Sequence, residues 1–284
     1  MARVLSQLAT APLAVFGSTS AMAHELTAAD RLLRTPLPLS RRMGFVHLRG
    51  GAGASSTAAY VSSVLARRRT GMVLGVNASA GPDSILSHAG LPAHAEHRPS
   101  DRRSRAQSAL DARDGLPVTS SGLYTMDVPA LASAKGAASP AEWSDNREPI
   151  TRFFDVVSTD WGVRSWQAEL GQVAALSHVV CVVARADRSA AEEAAAIVPA
   201  LLGQEDAPRV VLALVDVGGT ADRGAGLLRM TVDIPVVDIP FDATTGSARA
   251  IPSSALRART RIAYTRLATV LIGEALLPLG RRSS

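Results

Sequence analysis

Residues 49–56 decide the fold of this chain, and they are Arg49-Gly50-Gly51-Ala52-Gly53-Ala54-Ser55-Ser56. The turn follows an apolar run at 43–48 and precedes a segment with apolar residues at helical spacing, Ala58, Val61, Val64 and Leu65. A second apolar run at 72–76 comes next. The order strand, glycine-rich turn, helix, strand predicts the opening of a right-handed βαβ unit.

The same alternation returns in the second half of the chain. Apolar runs at 153–157, 179–184 and 210–215 predict strands, and helices are predicted at 165–175, at 189–202 and from Ser253 to Leu276. Strands that are apolar on both faces and alternate with helices are typical of a parallel sheet covered on both sides. The sequence therefore predicts an α/β fold, a mostly parallel open sheet with helices on both faces in three layers. Residues 78–146 lack clear periodicity, and we predict mostly surface loop there.

Length and composition indicate a folded protein with one large or two small domains. The chain has 284 residues, of which 47% are apolar and 19% are charged, and this balance argues against extensive disorder. We divide it into a leader at 1–41, partly disordered or helical, and a domain at 42–280. The single cysteine, Cys181, excludes an internal disulfide and a multi-cysteine metal site, which favours the reducing cytoplasm.

The two most apolar terminal segments do not favour export or a membrane span. Ala21-Met22-Ala23 resembles a signal-peptidase site, but the apolar stretch at 8–16 before it is short and contains Pro12. The segment 267–279 is too short for a bilayer and contains Glu274. We therefore predict no transmembrane helix.

Basic residues are numerous, but they are almost all arginine. Of 30 basic residues only Lys135 is a lysine, so chemistry that needs a lysine elsewhere is excluded. The net charge of +5 comes from a modest excess spread along the chain, which does not favour nucleic-acid binding.

The turn at 49–56 has some of the parts of a phosphate-binding loop. Such a loop needs glycines that let backbone N–H groups converge on anionic oxygens, a lysine that reaches the terminal phosphates, and a hydroxyl for Mg²⁺. Gly50, Gly51 and Gly53 supply the first part and Ser55 the third, while Ala54 occupies the lysine position. A tight turn kept only for packing is the alternative interpretation.

The loop resembles the deviant-Walker P-loop ATPases of the ParA and MinD type, whose signature is K-G-G-x-G-K-[ST]-[ST]. The signature lysine of that family, which reaches across a nucleotide-sandwich dimer, falls on Arg49, and the Walker lysine falls on Ala54. The family's V-D-x-D-P pattern after the second strand is replaced by Val76-Asn77-Ala78-Ser79-Ala80, so both carboxylates are missing.

The resemblance extends over residues 42–278. Residues 153–162 resemble the family's F-D-x-V-x-x-D-x-G strand and switch, with Asp160 at the Walker B-like position, and residues 239–242 resemble its I-P-x-D loop on the base side. The family's adenine-reading asparagine is replaced by Asp216. Capping of the helix that contains Trp166 is the alternative role of Asp160. The degenerate loop and the Asp160-Trp161-Gly162 switch are most similar to the MinD-like proteins of actinobacterial type VII secretion.

The resemblance implies a set of site residues. Those expected at a nucleotide are Arg49, Gly50, Gly51, Gly53, Ala54, Ser55, Ser56 and Pro240. Asp160 is the catalytic candidate, and Ser55 with Asp160 would hold Mg²⁺ if a nucleotide binds.

Three functions remain open on the sequence. The first is a pseudo-ATPase that needs no cofactor, or that binds ATP or ADP with Mg²⁺ without efficient turnover. Such a protein would act in the cytoplasm through protein partners, as a regulatory or scaffolding subunit of a secretion or positioning system. The second is an atypical ATPase that switches between monomer and homodimer, with Arg49 in place of lysine. The third is a nonspecific DNA-binding partition-type protein.

Overall fold

The computed structural model describes residues 19–81, 83–91, 101–128, 136–165, 168–204, 206–222, 231–246 and 254–278. Lys135, Trp166, Ser253 and the apolar stretch 8–16 lie outside these ranges.

Seven strands form one sheet in which every neighbouring pair is parallel. They are β1 (Arg41–His47), β2 (Val73–Asn77), β3 (Tyr124–Asp127), β4 (Val156–Val163), β5 (Val179–Arg185), β6 (Arg209–Val215) and β7 (Val236–Ile239). The spatial order is β3-β2-β4-β1-β5-β6-β7. Strands β1 and β4 lie at the centre, so the loops that follow them meet at the middle of one sheet edge.

The longer helices are α1 (Thr19–Arg34), α2 (Ala54–Arg68), α3 (Pro140–Thr151), α4 (Leu170–Ala175), α5 (Arg188–Ala196), α6 (Val198–Leu202) and α7 (Ala258–Leu276). Single helical turns lie at Ile85–His88, Asp101–Ser104 and Ala109–Ala112, and a 3₁₀ turn lies at Ala243–Gly246. Apolar clusters fill both faces of the sheet, one beneath α2 and α7 and the other beneath α4, α5 and α6. The predicted three-layer α/β architecture with a parallel sheet is therefore confirmed.

Helix α3 begins inside the region 78–146 that we predict to be mostly loop, so that prediction is wrong from Pro140 onward. A capping box starts the helix, because Ser139 Oγ accepts from the backbone N–H of Glu142 and the Glu142 carboxylate accepts from the Ser139 N–H. Pro140 follows at the first position, where a missing N–H costs nothing. The pair Ser139 and Glu142 is the sequence signal for this helix start. Pro149 obscures the signal because proline rarely lies inside a helix.

Several predicted boundaries also differ from the structure. The strand predicted at 153–157 begins at Val156 and continues to Val163, and the helix predicted at 189–202 is two helices separated at Ile197. Strand β7 has no counterpart in the sequence-based prediction.

Helix α1 packs on the domain. Leu33 is fully buried, in the cluster that also contains residues of α2 and α7. Arg266 of α7 makes two hydrogen bonds to the Glu25 carboxylate, at 2.5 and 2.7 Å. Arg69 at the end of α2 donates to the backbone carbonyls of Leu33 and Thr35. The leader is thus helical from Thr19 to Arg34, and a division of the chain at residue 41 stays a prediction.

Candidate functional site

The glycine-rich turn joins β1 to α2 through two glycines in the left-handed region. Gly51 has φ 75° and Gly53 has φ 80°, and Gly53 is the N-cap residue of α2. Residues with a side chain rarely adopt this conformation, which explains the glycines. The Ser56 hydroxyl donates to the Gly53 carbonyl at 2.9 Å, and His47 Nδ1 donates to the Arg49 carbonyl at 2.6 Å. The turn is therefore held in place from within and from β1.

Asp160 lies beneath this turn, fully buried in β4. Its carboxylate accepts from the backbone N–H groups of Ile85 and Gly162, both at 3.1 Å. Burial raises its pKa, while hydrogen bonds from the Ser55 side chain and these N–H groups oppose that shift. The structure thus brings together Ser55 and Asp160, the two residues predicted as metal ligands. Helix α4 begins at Leu170 with Glu169 as N-cap, so Asp160 does not cap that helix and the alternative interpretation is wrong.

The switch that follows Asp160 is tightly packed. Trp161 is an extra residue in β4, because Phe45 of β1 pairs with Asp160 and Val46 pairs with Gly162. Gly162 has φ +67°, and a Cβ built there would lie 2.8 Å from the Cβ of Ser79. Only glycine satisfies both the backbone angle and the space at this position.

Arg164 fixes the segment after the switch, and sequence reasoning missed it. Its guanidinium donates to the carbonyls of Trp161, Ala78 and Ala138 at 2.8–2.9 Å and to the Glu169 carboxylate at 3.0 Å. The residue is only 2% exposed. These bonds tie the end of β4 to the loop after β2 and to the approach to α3.

Two neutral side chains stand at the positions of the family's strand-two carboxylates. Asn77 Oδ1 accepts from the Ser79 N–H at 3.1 Å and from the Ser79 hydroxyl at 2.7 Å. Asn77 Nδ2 donates to the Asp127 carboxylate of β3 at 2.8 Å. The hydrogen-bonding groups of Asn77 are thus directed to neighbouring protein atoms.

A cavity of about 550 Å³ opens above the turn, at the carboxyl edge of the sheet. This size is in the range of small-molecule sites, and the edge is where ligands bind in open α/β folds. The lining residues that the sequence predicts are Gly50, Gly51, Gly53, Ala54, Ser55, Ser56 and Pro240. The lining that sequence reasoning missed includes His47, Asp83, His88, Thr260 and Tyr264. His47 could have been noticed, because it is the polar residue in the otherwise apolar run at 43–48.

The cavity carries little positive charge. Within the described part of the chain, no arginine or lysine lines it, whereas Asp83 and Asp216 do. His47 and His88 also line it, and burial lowers the pKa of His88, which disfavours the charged form of that ring. The Asp216 carboxylate accepts from three backbone N–H groups of its own loop, at Gly218, Gly219 and Thr220.

Arg49 is the predicted site residue that the structure places apart from the others. Its guanidinium pairs with Glu193 of α5 at 2.7 Å, its side chain is 67% exposed, and it is not among the cavity-lining residues. A role of Arg49 across a dimer stays a prediction.

The site has a geometry suited to a nucleotide, but it does not supply the positive charge that would balance the phosphates. The glycine turn offers backbone N–H groups at a helix start, which is the geometry that phosphates use. Ala54, however, supplies no cation, and Arg49 is engaged elsewhere. Among the described residues, no three His, Cys, Asp or Glu side chains form a group that could hold a metal ion. No helix in the described ranges is long and apolar enough to cross a membrane.

Solved structures define the class of fold. A ParA family ATPase from Chlorobium tepidum is similar with a TM-score of 0.62 and 18% identity, over 80% of this chain and 98% of that chain. MinD in the MinC:MinD cell division complex of Aquifex aeolicus is similar with a TM-score of 0.58 and 16% identity, over 85% of this chain and 98% of that chain. MinD from Pyrococcus horikoshii, complexed with Mg-ADP, has a TM-score of 0.56 and 16% identity over 81% and 94%. The chain has the fold of the ParA and MinD ATPases.

A relative by sequence has a name that associates it with secretion. The ESX-1 secretion-associated protein EspI of Mycobacterium tuberculosis is 27% identical over 171 residues, 60% of this chain and 26% of EspI. The match thus spans about a quarter of the relative's length. No family model matches the sequence.

Proposed function

We propose that this chain is a pseudo-ATPase of the ParA/MinD fold that acts in the cytoplasm as a regulatory or scaffolding subunit of a secretion system. The observation that carries the proposal is the charge of the cavity above the glycine turn. Its described lining has two aspartates, two histidines and no arginine or lysine.

This charge pattern opposes phosphoryl transfer. Catalysis of that reaction depends on positioning and on cations that neutralise charge developing on the transferred group, and losing one such contact costs several kcal/mol. At Ala54 the contact is missing, and Asp83 and Asp216 add negative charge to the walls. Asn77 and Ser79, which stand where the family has carboxylates, are hydrogen-bonded to each other.

The similarity to EspI supports a secretion system as the machine that the chain serves. One solved neighbour is MinD in complex with MinC, which supports a protein partner or a second copy bound to this fold. We propose that the chain works through such protein contacts, with ATP or ADP and Mg²⁺ as optional ligands rather than required ones.

Calorimetric titration of the whole chain with Mg-ATP and with Mg-ADP, together with a phosphate-release assay, tests the proposal. We expect dissociation constants above about 100 μM and no phosphate release above the buffer rate. Micromolar binding with turnover that Asp160→Asn abolishes would overturn the pseudo-ATPase assignment.

Restoring a lysine tests whether the turn itself keeps its phosphate-binding geometry. We expect Ala54→Lys to tighten Mg-ATP binding about 10-fold, because it adds a charge-assisted contact at the glycine turn that lines the cavity. The matched control is Ala80→Lys, which adds the same charge to another wall of the cavity. Equal affinity gains in both variants would show a general charge effect, and no gain at Ala54 would show that the turn is closed to phosphate.

The contact between Ser55 and Asp160 favours a second candidate, an atypical ATPase that dimerises on nucleotide. These two residues stand together as an Mg²⁺ site would require, and any ion there would take its other ligands from phosphate and water. Light scattering with and without Mg-ATP distinguishes the candidates. A nucleotide-dependent dimer lost in Arg49→Ala would favour the ATPase, and an unchanged mass supports the pseudo-ATPase.

A further inference from the structure

A second cavity, of about 400 Å³, lies at the opposite edge of the sheet, where the strands begin. We call it the basal pocket and define it by Ser40, Arg41, Arg42, Arg152 and His178. Residues 37–39 and Thr151, Phe154 and Asp155, which precede β4, also line it. Two backbone hydrogen bonds, each of 2.9 Å, join the segments that line the pocket. The Arg41 N–H donates to the Asp155 carbonyl, and the His178 N–H donates to the Arg42 carbonyl.

The basal pocket has an excess of positive charge. Three arginines line it, against a single lining carboxylate in the described chain, Asp155. That carboxylate is paired with Arg69, which donates to it at 3.3 Å, and it lies close to Gly71. Burial, together with the smaller Coulomb effects of Arg42 and Arg41, lowers the pKa of His178 to about 4.

Two buried polar atoms in this pocket have no partner within the described protein. They are Ser40 Oγ and Arg41 Nε. A buried donor that is left unpaired costs about 1–3 kcal/mol, and in native structures such a group calls for an ordered water or an ion. Within the described ranges, Arg41 Nε is therefore a donor that a ligand or an ordered water could satisfy.

The neighbouring groups are already oriented. Arg42 Nε donates to the Leu176 carbonyl at 2.7 Å, which fixes the guanidinium plane. His178 Nδ1 accepts from the Arg42 N–H at 3.0 Å, so the ring hydrogen is on Nε2 and is free to be donated. Arg152 is held by its bond to the Ala106 carbonyl and by its position over the Phe153 ring. Guanidinium groups fixed in this way are suited to bidentate contacts with oxyanions.

We propose that the basal pocket binds an anionic small molecule through its phosphate or carboxylate group. Arg41, Arg42 and Arg152 supply the charge, and Ser40 and His178 supply neutral donors. The cavity has room for more than a bare ion, because its volume falls in the range of small-molecule pockets. This site is at the other edge of the sheet from the glycine turn and does not depend on the function proposed for that turn.

The test is calorimetric titration of the whole chain at pH 7 with inorganic phosphate, phenyl phosphate and acetate, at constant ionic strength set with chloride. We expect saturable binding of phosphate or acetate, and at least equal affinity for phenyl phosphate. Preference for phosphate over acetate would identify the source of the oxyanion as a phosphate ester, and the reverse would identify a carboxylate. Absence of saturable binding for all three probes would overturn the proposal.

Variants locate the binding. Arg41→Gln is expected to weaken affinity at least 10-fold, whereas Arg188→Gln, which removes an exposed arginine paired with Glu192, is expected to leave it unchanged. Arg152→Gln, at an exposed position, gives a second measurement if Arg41→Gln does not fold. In NMR spectra, the phosphate should also shift the ring signals of His178, assigned with His178→Gln. Equal affinity in the wild type, Arg41→Gln and Arg152→Gln would place the anion elsewhere and contradict the proposal.

Discussion

At the scale of single residues, the backbone of Gly162 sets the shape of the switch. We expect Gly162→Ala to lower the free energy of unfolding by about 1–3 kcal/mol, since its φ is +67° and its Cβ would meet Ser79 at 2.8 Å. Urea denaturation measures the change. Gly50→Ala is the matched control, because a Cβ there has no neighbour within 4 Å, and we expect less than about 0.5 kcal/mol. Equal stability of the two variants would contradict this account of the switch.

Asp242 gives the protein a measurable dependence on pH. Burial acts to raise its pKa, but hydrogen bonds from Thr244 and from the Arg257 N–H outweigh it and lower the pKa to about 2. A carboxyl whose pKa is depressed on folding contributes stability above its unfolded pKa, and that contribution is lost as pH falls through the folded pKa.

The comparison with Asp242→Asn isolates this contribution. Between pH 5 and pH 2 we expect the wild type to lose about 1–2 kcal/mol more unfolding free energy than the variant, measured by urea denaturation at each pH. Burial raises the pKa of Asp160, so its contribution to the unfolding free energy changes with pH in the opposite direction. Both proteins contain Asp160, so this contribution cancels in the comparison. If the unfolding free energies of the two proteins changed in parallel with pH, the pKa of Asp242 would not be lowered by folding.

At the scale of elements, α1 belongs to the packed structure. Leu33 is fully buried against the domain, so we expect Leu33→Ala to cost about 2–5 kcal/mol of unfolding free energy. Met22, on the same helix and 44% exposed, is the matched control, and Met22→Ala should change stability by less than about 0.5 kcal/mol. Thermal or urea unfolding measures both. A tolerated Leu33→Ala would show that the leader folds apart from the domain.

The elements that the sequence predicts well are those whose pattern is local. Residues 179–184 of β5 and 210–215 of β6 are continuous runs of buried apolar residues, and such runs are recognisable without the tertiary structure. Strand β7 has only four residues, and helix α3 contains Pro149, so their local signals are weak and tertiary packing stabilises them.

The candidate site was predictable only in part, for a similar reason. The glycine turn and Asp160 lie in recognisable motifs, and the sheet order brings them together. Arg164 and His88 carry no motif, because their roles depend on carbonyls and side chains that are far away in the sequence. The outward position of Arg49 depends likewise on Glu193, 144 residues further on.

At the scale of the whole molecule, Cys181 lies at the centre of the sheet. Strand β5 is paired with β1 on one side and β6 on the other, and both faces are covered. The thiol is fully buried, and burial raises its pKa, so the reactive thiolate is suppressed in the native state. Reagents should therefore reach it only when the sheet separates.

We predict that thiol labelling of Cys181 measures global unfolding. Because separation of β5 from β1 and β6 disrupts both apolar layers, the opening free energy from labelling rates should equal the unfolding free energy from urea denaturation. The opening free energy should also decrease with urea concentration with the same slope as the unfolding free energy. In a Cys181→Ala background, Leu39→Cys, at a position 69% exposed, should be labelled at the rate of a free thiol. A smaller opening free energy at Cys181 would show that the sheet opens in part, which would contradict a single cooperative core.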